Sequence, residues 1–152
     1  MSKYVLDDGV ESFEIEVKNR KKPIVITFCP TDEKLPHRYK QFFENVQSEV
    51  DKMQSVQTDE YGNGKDQKDK TALDKFQDII EKEIDVLLDY EGNGKELFGN
   101  RAPFRATKNG YWLEQVLMVL SDIIVENAPV TMERCKLTMS ERGKKYASKY
   151  LK

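Results

Sequence analysis

The chain has 152 residues, of which 34% are charged and 38% hydrophobic, so the sequence predicts one domain with a modest core beneath a heavily solvated surface. It contains no run of about eighteen apolar residues and no hydrophobic signal-peptide core at its start, so we expect an unexported protein without a membrane span. The two cysteines, Cys29 and Cys135, match no metal-ligand spacing and are expected to be free thiols in a reducing cytoplasm.

Charge is distributed unevenly along the chain. Residues 129–152 carry seven Lys or Arg and two acidic residues, a net charge of +5. Residues 1–128 hold the other 18 basic and 25 acidic residues, a net charge of −7. This contrast predicts an acidic body with a basic C-terminal extension.

Two short stretches near the N terminus alternate apolar and polar residues with the period of two expected of β-strands. The apolar positions are Phe13, Ile15 and Val17 in the first stretch and Ile24, Ile26 and Phe28 in the second. The polar run between them is short enough for an antiparallel hairpin over residues 10–28, and Pro23 marks where the second strand can begin. Because an isolated hairpin is marginally stable in water, its apolar face is expected to lie on helices or on another subunit.

Apolar residues recur at steps of three and four over residues 35–54, which predicts an amphipathic helix. Thr31 or Asp32 is expected to cap this helix, and Pro36 suits its first turn. The lone His37 lies at the polar start of the helix, without a second His, a neighbouring Cys or a Ser–carboxylate arrangement. We therefore interpret His37 as a surface residue and not as a catalytic base.

Residues 54–70 are almost wholly polar and predict a mobile loop. The pattern Thr71-x-x-Asp74 then resembles a capping box and opens a second predicted helix over residues 71–91. That helix carries a broad apolar face, made by Leu73, Phe76, Ile79, Ile80, Ile84, Leu87 and Leu88.

A break separates the second helix from the last one. It holds a short apolar turn at Leu97 and Phe98, and Phe104, which is expected to be exposed. Asn109 is expected to cap the most hydrophobic helix, over residues 109–127. Because this helix has few polar positions, it should be central to the core, with Leu117 and Leu120 buried.

The tetrapeptide Gly-Asn-Gly-Lys occurs twice, at residues 62–65 and 92–95. Neither copy is a phosphate-binding P-loop. Each lacks a glycine five residues before the Gly-Lys pair, and each lacks a Ser or Thr after the lysine. We interpret both copies as signals that end the preceding helix, since Gly and Asn adopt the left-handed conformation at low steric cost.

A calcium loop fits the second copy only in part. Asp89, Glu91 and Asn93 occupy the first, third and fifth positions of an EF-hand loop, but Asn100 stands where a bidentate Glu is required. We therefore expect no useful calcium affinity.

No arrangement of residues predicts catalysis. Most acidic residues lie beside lysines on predicted helix faces, as is typical of a solvated surface. General acid–base catalysis needs a carboxyl that is buried or has a partner, and no apolar segment of the sequence encloses a lone carboxylate. The sequence thus predicts no catalytic, cofactor-binding or metal-binding residues, and no enzyme activity.

Residues 129–152 predict a basic helical extension, which can begin at Thr138-x-x-Glu141 after Pro129. Tyr146 and Tyr150 offer stacking surfaces for bases. The candidate contacts to nucleic acid or to an acidic partner are Arg142, Lys144, Lys145 and Lys149. Nucleic acid is the less favoured partner, because one short helix offers few phosphate contacts and the acidic body repels a phosphate backbone.

The order of these elements resembles that of the small tail assembly chaperones of long-tailed phages and prophages of Gram-positive bacteria. The likeness spans residues 10–127. It is carried by the hairpin FEIEVKNRKKPIVITF, by Asp32-Glu33 before a Tyr- and Phe-bearing helix, by ALDKFQDIIEKEIDVLL, by ELFGN and by the last helix YWLEQVLMVLSDII. The polar loop of residues 54–70 and the extension of residues 129–152 depart from the family pattern.

The residues alone predict an α+β fold, with an N-terminal antiparallel β-hairpin followed by a mainly α-helical domain of three to four helices within residues 1–128. The resemblance implies a non-enzymatic chaperone that coats the long helical tape-measure protein before the tail tube polymerises around it. Phe98, Phe104 and Trp112 are the candidate protein-binding residues. The alternative is a small phage accessory protein that binds nucleic acid through its basic C-terminal helix.

The resemblance also sets expectations about partners and location. The partner is the tape-measure protein or another tail protein, with self-association expected as well, and no membrane or cofactor is involved. The protein is expected in the host-cell cytoplasm and not in the mature virion. A translational frameshift near the stop codon is a further implication.

Overall fold

The computed structural model describes residues 1–128, which form an N-terminal antiparallel hairpin, four helices and a small hairpin before the last helix. The elements are β1 (Glu11–Ile15), β2 (Ile24–Phe28), α1 (Leu35–Asp51), α2 (Gln67–Leu88), α3 (Asn93–Phe98), β3 (Ala106–Thr107), β4 (Gly110–Tyr111) and α4 (Trp112–Asn127). The predicted α+β fold class is confirmed. The predicted C-terminal helix, with Arg142, Lys144, Lys145 and Lys149, lies outside the described residues, as does Cys135.

The period of two in the hairpin determines which side chains enter the core. Ile24, Ile26 and Phe28 of β2 are buried, while Val25 is exposed on the other face. In β1, Phe13 and Ile15 are half-buried. The register pairs Phe13 with Ile26, and the apolar face of β2 packs against α3, so the hairpin rests on a helix as predicted.

One core joins the hairpin to the helices. Its largest fully buried side chains include Phe28, Tyr39, Phe76 and Phe98, each contributed by a different element. Leu117 and Leu120 of α4 are 3% and 1% exposed, which confirms their predicted burial. A heavily charged chain therefore still closes one continuous apolar cluster.

The start of α1 differs from the prediction. Lys34 is the residue before the helix and makes no side-chain cap, so neither Thr31 nor Asp32 is the cap residue. Asp32 still contributes, because its Oδ1 accepts the Lys34 N–H at 2.9 Å and its Oδ2 pairs with Arg38 at 2.9 Å. The Lys34 amide and the Arg38 guanidinium lower the pKa of the Asp32 carboxyl. His37 is exposed, as predicted.

The start of α2 was also predicted wrongly. The helix begins at Gln67, and Asp66 caps it by accepting the Asp69 N–H at 2.9 Å. Thr71 lies inside the helix and donates its hydroxyl proton to the Gln67 carbonyl. The helix ends at Leu88, where Asp89 takes the left-handed conformation with φ of 48°.

Asn109 does not cap α4. It lies in the turn between β3 and β4, and its backbone N–H donates to the Thr107 hydroxyl. The helix begins at Trp112, with Tyr111 as the residue before it. The start of α4 is held against the loop before β3, because the Leu113 N–H donates to the Pro103 carbonyl at 2.8 Å.

Candidate binding surfaces

The second Gly-Asn-Gly-Lys copy begins α3 and ties it to the hairpin. The Asn93 side chain is 3% exposed. Its Oδ1 accepts the Thr27 N–H at 2.8 Å, and its Nδ2 donates to the Thr27 carbonyl at 2.7 Å. A single side chain thus pairs with the outer edge of β2 as a neighbouring strand would.

The same copy also docks on α2. The Asp85 carboxylate accepts the backbone N–H groups of Gly92 at 3.0 Å and Gly94 at 2.7 Å. A Cβ added at Gly94 would lie 2.2 Å from the Glu81 carbonyl oxygen, so only glycine permits this approach. The interpretation of this copy as a helix end is wrong, because Gly92 precedes α3 and Asp89 already ends α2.

The first copy forms a turn within the predicted mobile loop, with Gly62 and Gly64 buried and Asn63 and Lys65 exposed. Asp59 Oδ1 accepts the backbone N–H groups of Tyr61 and Asn63, both at 2.9 Å. Gly62 has φ of 80°, and the Asn63 side chain is exposed. This copy is not a helix end either, because α1 ends at Asp51.

Neither copy offers a metal site. The Asn93 amide, the fifth ligand of the EF-hand pattern, is committed to Thr27 and Tyr90. Within residues 1–128 no group of three or more His, Cys, Asp or Glu is arranged to hold a metal ion. The absence of calcium affinity remains a prediction.

An apolar groove of about 490 Å³ runs between the loop end of the hairpin and α4. Its apolar lining comes from Ile15, Val17, Ile24, Leu97, Trp112, Val116 and Val119. Its polar lining comes from Glu16, Lys18, Asn19, Thr107, Lys108, Asn109 and Gln115. A concave surface that combines apolar area with polar groups is the usual form of a binding site.

Trp112 is held rigidly in this groove. Its indole N–H donates to the Leu97 carbonyl at 3.0 Å. The Arg101 guanidinium lies 5.2 Å from the ring centroid, within cation–π range. The ring is half-buried, so part of its surface remains available to a partner.

The other two candidate protein-binding residues lie elsewhere. Phe98 is 0% exposed and belongs to the core. Phe104 was expected to be exposed, but it is half-buried, with its ring stacked 5.3 Å from Phe76 and edge-on to Tyr111 at 5.8 Å. Of the three, Trp112 alone lines the groove.

A basic cleft of about 540 Å³ adjoins the hairpin loop and was not predicted. Its cationic lining residues are Arg20, Lys21, Lys22, Arg101 and Arg105, with Glu96 as the acidic one. The loop's sequence, KNRKK, was the only signal in the sequence. Arg101 and Arg105 come from a segment about eighty residues later in the chain and reach the cleft through tertiary packing.

One buried carboxylate contradicts the expectation that no apolar segment encloses one. Glu114 is 2% exposed, and neither of its carboxylate oxygens has a hydrogen-bond partner. Burial raises the pKa of this carboxyl to about 7, and the nearby Tyr111 amide opposes the rise. Glu114 occupies the third position of α4, where the Glu of a capping box would accept the N–H of Tyr111, but neither of its oxygens makes that bond.

Comparisons of the chain with protein-family models, with curated proteins and with solved structures found no match. Among the helices of residues 1–128, none combines the length and apolarity that crossing a bilayer requires. Function is therefore inferred from the groove, the basic cleft and the order of elements.

Proposed function

We propose that the protein is a non-enzymatic phage tail assembly chaperone that binds and solubilises the tape-measure protein during tail morphogenesis. The apolar groove between the hairpin and α4 is the observation that carries this proposal beyond the sequence resemblance. Amphipathic helices bind other proteins by placing their apolar face in a groove of this kind. A tape-measure protein supplies such helices, because its long apolar stripes need cover until the tail tube forms.

Two elements line the groove with apolar side chains. Ile15 and Val17 come from the hairpin, and Val116 and Val119, one helical turn apart, come from α4. Trp112 adds an aromatic surface whose indole N–H is bonded to the Leu97 carbonyl. A helix with apolar residues at steps of three and four would contact side chains of both elements.

The test is co-expression with a fragment of the tape-measure protein from the same genome. In Val119→Lys a charge enters the groove, and the fragment is expected to move from the soluble to the insoluble fraction. The matched control is Met118→Lys, which places the same charge on the next residue of α4, at a position that is 48% exposed and outside the groove lining. Equal solubility of the fragment with parent, control and groove variant would refute the groove as the binding site.

Gene order gives an independent check. A chaperone of this class should follow a tail-tube gene and precede a very long reading frame that encodes a helical protein. A slippery heptamer near the stop codon would agree with the implied frameshift. A gene neighbourhood without tail genes would remove the assignment.

The basic cleft favours a second candidate, an accessory protein that binds nucleic acid. Phosphate contacts release condensed counterions, so such binding would weaken steeply with salt. A gel shift at about 150 mM salt decides between the two functions. Under the chaperone proposal no shift is expected. Micromolar binding lost on removing residues 138–152 would favour the C-terminal extension, and binding lost in Arg101→Ala/Arg105→Ala would favour the cleft.

A further inference from the structure

We propose that the basic cleft and the apolar groove form one composite site, whose ligand is a polypeptide segment that carries carboxylates beside an apolar stripe. This inference rests on the proposed function, because it names the chemistry of the partner that the groove binds. Three observations support it. The two cavities share a boundary, the cations of the cleft have no counter-charges, and the surface outside the cleft is acidic.

The cleft and the groove adjoin at three places in the fold. In the hairpin loop, Asn19 lines the groove and Arg20, the next residue, lines the cleft. On α3, Leu97 lines the groove and Glu96 lines the cleft. Ile24 of β2 lines both. A ligand bound in one cavity therefore lies within reach of the other.

Trp112 lies at the junction of the two cavities. Its ring lines the groove, and the guanidinium of Arg101, a cleft residue, lies 5.2 Å from the ring centroid. The backbone N–H of Trp112 donates at 3.0 Å to the carbonyl of Arg105, which also lines the cleft. Since the indole N–H is bonded to the Leu97 carbonyl, this side chain is fixed between the apolar and the cationic parts of the site.

The cleft concentrates positive charge that the chain does not neutralise. Its five cations and single carboxylate give it a net charge of +4. Within residues 1–128, none of these five cations forms an ion pair with a carboxylate. A cleft lined by one sign of charge attracts ligands of the opposite sign. The ligand of the cleft is therefore expected to be an anion.

The adjoining groove favours carboxylates of a polypeptide as that anion. The guanidinium groups of Arg101 and Arg105 carry paired N–H donors, which match a carboxylate or a phosphate equally well. The groove distinguishes the two, because its hairpin and α4 residues, such as Ile15 and Val119, are aliphatic. Aliphatic linings of this kind bind the apolar face of an amphipathic helix.

Charge outside the cleft disfavours a long phosphate chain. Residues 1–128 hold 13 of their 18 basic residues outside the cleft, but 24 of their 25 acidic ones. A nucleic acid strand that left the cleft would therefore meet a surface that repels it. A polypeptide can confine its carboxylates to the part that enters the cleft.

The fluorescence of Trp112 provides the test, because it is the only tryptophan in the chain. The probes are synthetic amphipathic peptides without tryptophan, about 18 residues long, which is five helical turns. Two carry a cluster of glutamates, at the N-terminal or the C-terminal end, and a third has glutamines instead. One of the acidic peptides should bind about tenfold more tightly than the glutamine peptide. This preference should shrink as salt is raised.

Charge reversal in the cleft should remove the preference. Lys21→Glu/Lys22→Glu cancels the net charge of the cleft at two exposed residues of the hairpin loop. This variant should keep the parent's circular dichroism spectrum and bind acidic and glutamine peptides equally. Arg105→Glu, in the other cationic segment, should weaken the preference as well. The matched control, Lys40→Glu/Lys82→Glu, changes the net charge equally at exposed positions outside both cavities and should keep the preference.

The outcomes separate this inference from the proposed function. Equal binding of acidic and glutamine peptides by the parent overturns the composite site and leaves the groove as a helix-binding surface. A preference lost equally in the control and the cleft variant also overturns it, since overall charge then accounts for the preference. Failure of every peptide to bind overturns both the composite site and the groove.

A single-stranded oligonucleotide is the competing probe. If it binds more tightly than either acidic peptide at about 150 mM salt, the choice of a polypeptide ligand is wrong. A preference for the acidic peptide combined with an insoluble co-expressed fragment would retain the composite site and refute the tape-measure protein as its partner.

Discussion

The two Gly-Asn-Gly-Lys segments are identical in sequence and different in structure. At residues 92–95 the asparagine is 3% exposed and bonds to a strand 66 residues away in sequence. At residues 62–65 the asparagine is exposed, and the turn bonds mainly to its own neighbours. The tetrapeptide therefore permits tight backbone geometry. The residues around it determine whether that geometry closes a local turn or joins two distant elements.

The position of the nearby aspartate accounts for much of the difference. Asp59 lies three residues before the first copy and closes a local turn. Asp85 lies in the last turn of α2, and its carboxylate binds the start of α3 to that helix. The first contact can form within an isolated loop, whereas the second requires α2 to be folded.

The largest expected effect is at Gly94. In Gly94→Ala the new Cβ meets the Glu81 carbonyl oxygen at 2.2 Å, and because both are backbone-bound, α3 must move away from α2. We expect a loss of about 3 kcal/mol or more in the free energy of unfolding. In Gly92→Ala the new Cβ meets no atom within 4 Å, and the cost comes only from placing a non-glycine residue at a φ of 99°. We expect a loss of about 1 kcal/mol in the free energy of unfolding. Urea denaturation of both variants gives the comparison.

Gly64→Ala extends this test to the first copy. Its Cβ would lie 2.4 Å from the Lys70 nitrogen, also a backbone atom. The contact involves only the first turn of α2, which can fray locally without opening the core. A smaller loss than for Gly94→Ala is therefore expected. Equal losses would show that both copies are equally integral to the fold.

Asn93→Ala should have the next largest effect. It leaves the N–H and carbonyl of Thr27 without their partner beside a packed core. We expect a loss of about 2 to 3 kcal/mol, since each unsatisfied buried group costs about 1 kcal/mol or more. Asn63→Ala, at the exposed asparagine of the first copy, should stay within about 0.5 kcal/mol of the parent. Similar melting of the two variants would contradict the strand-like role of Asn93.

The sequence predicted those features that periodicity encodes. Period two identified the hairpin and its buried face, and steps of three and four identified α1, α2 and α4. Helix starts were less accurate, because the chain offers competing caps. Asp66, and not Thr71, caps α2, because the helix extends one further turn toward the loop. No local sequence pattern distinguishes these two candidate caps.

The candidate site was predictable only in part. Trp112, Phe98 and Phe104 were predicted to bind a protein partner; Trp112 lines the groove, whereas Phe98 and Phe104 pack within the fold. A sequence shows that an aromatic side chain favours burial. It does not show whether the chain itself or a binding partner buries that side chain. Asn93 could not be identified either, because its role depends on a contact with Thr27 made through the tertiary fold.

Asn93 and Glu114 are both buried polar side chains, and the comparison between them isolates the effect of satisfied hydrogen bonds. Asn93 has partners for its oxygen and its nitrogen, whereas neither oxygen of Glu114 has one. A buried polar group with partners stabilises the fold, and one without them costs free energy. The two substitutions should therefore have opposite signs at neutral pH.

Glu114→Gln is expected to stabilise the protein, by an amount that depends on pH. The folded pKa of about 7 lies above the unfolded value of 4.5. Between these values the unfolded carboxyl ionises while the folded one keeps its proton, so the parent loses stability as pH rises, and above pH 7 the loss is complete. The variant carries no charge at this position at any pH and should gain about 3 kcal/mol on the parent between pH 4.5 and pH 8. Glu126→Gln, at an exposed position of the same helix, is the control and should track the parent. Urea unfolding of the three proteins across this pH range gives the difference in the free energy of unfolding between each variant and the parent. Titrating groups common to all three proteins contribute equally and cancel in that difference. A constant difference between Glu114→Gln and the parent would mean that Glu114 stays ionised in the fold and has found a partner.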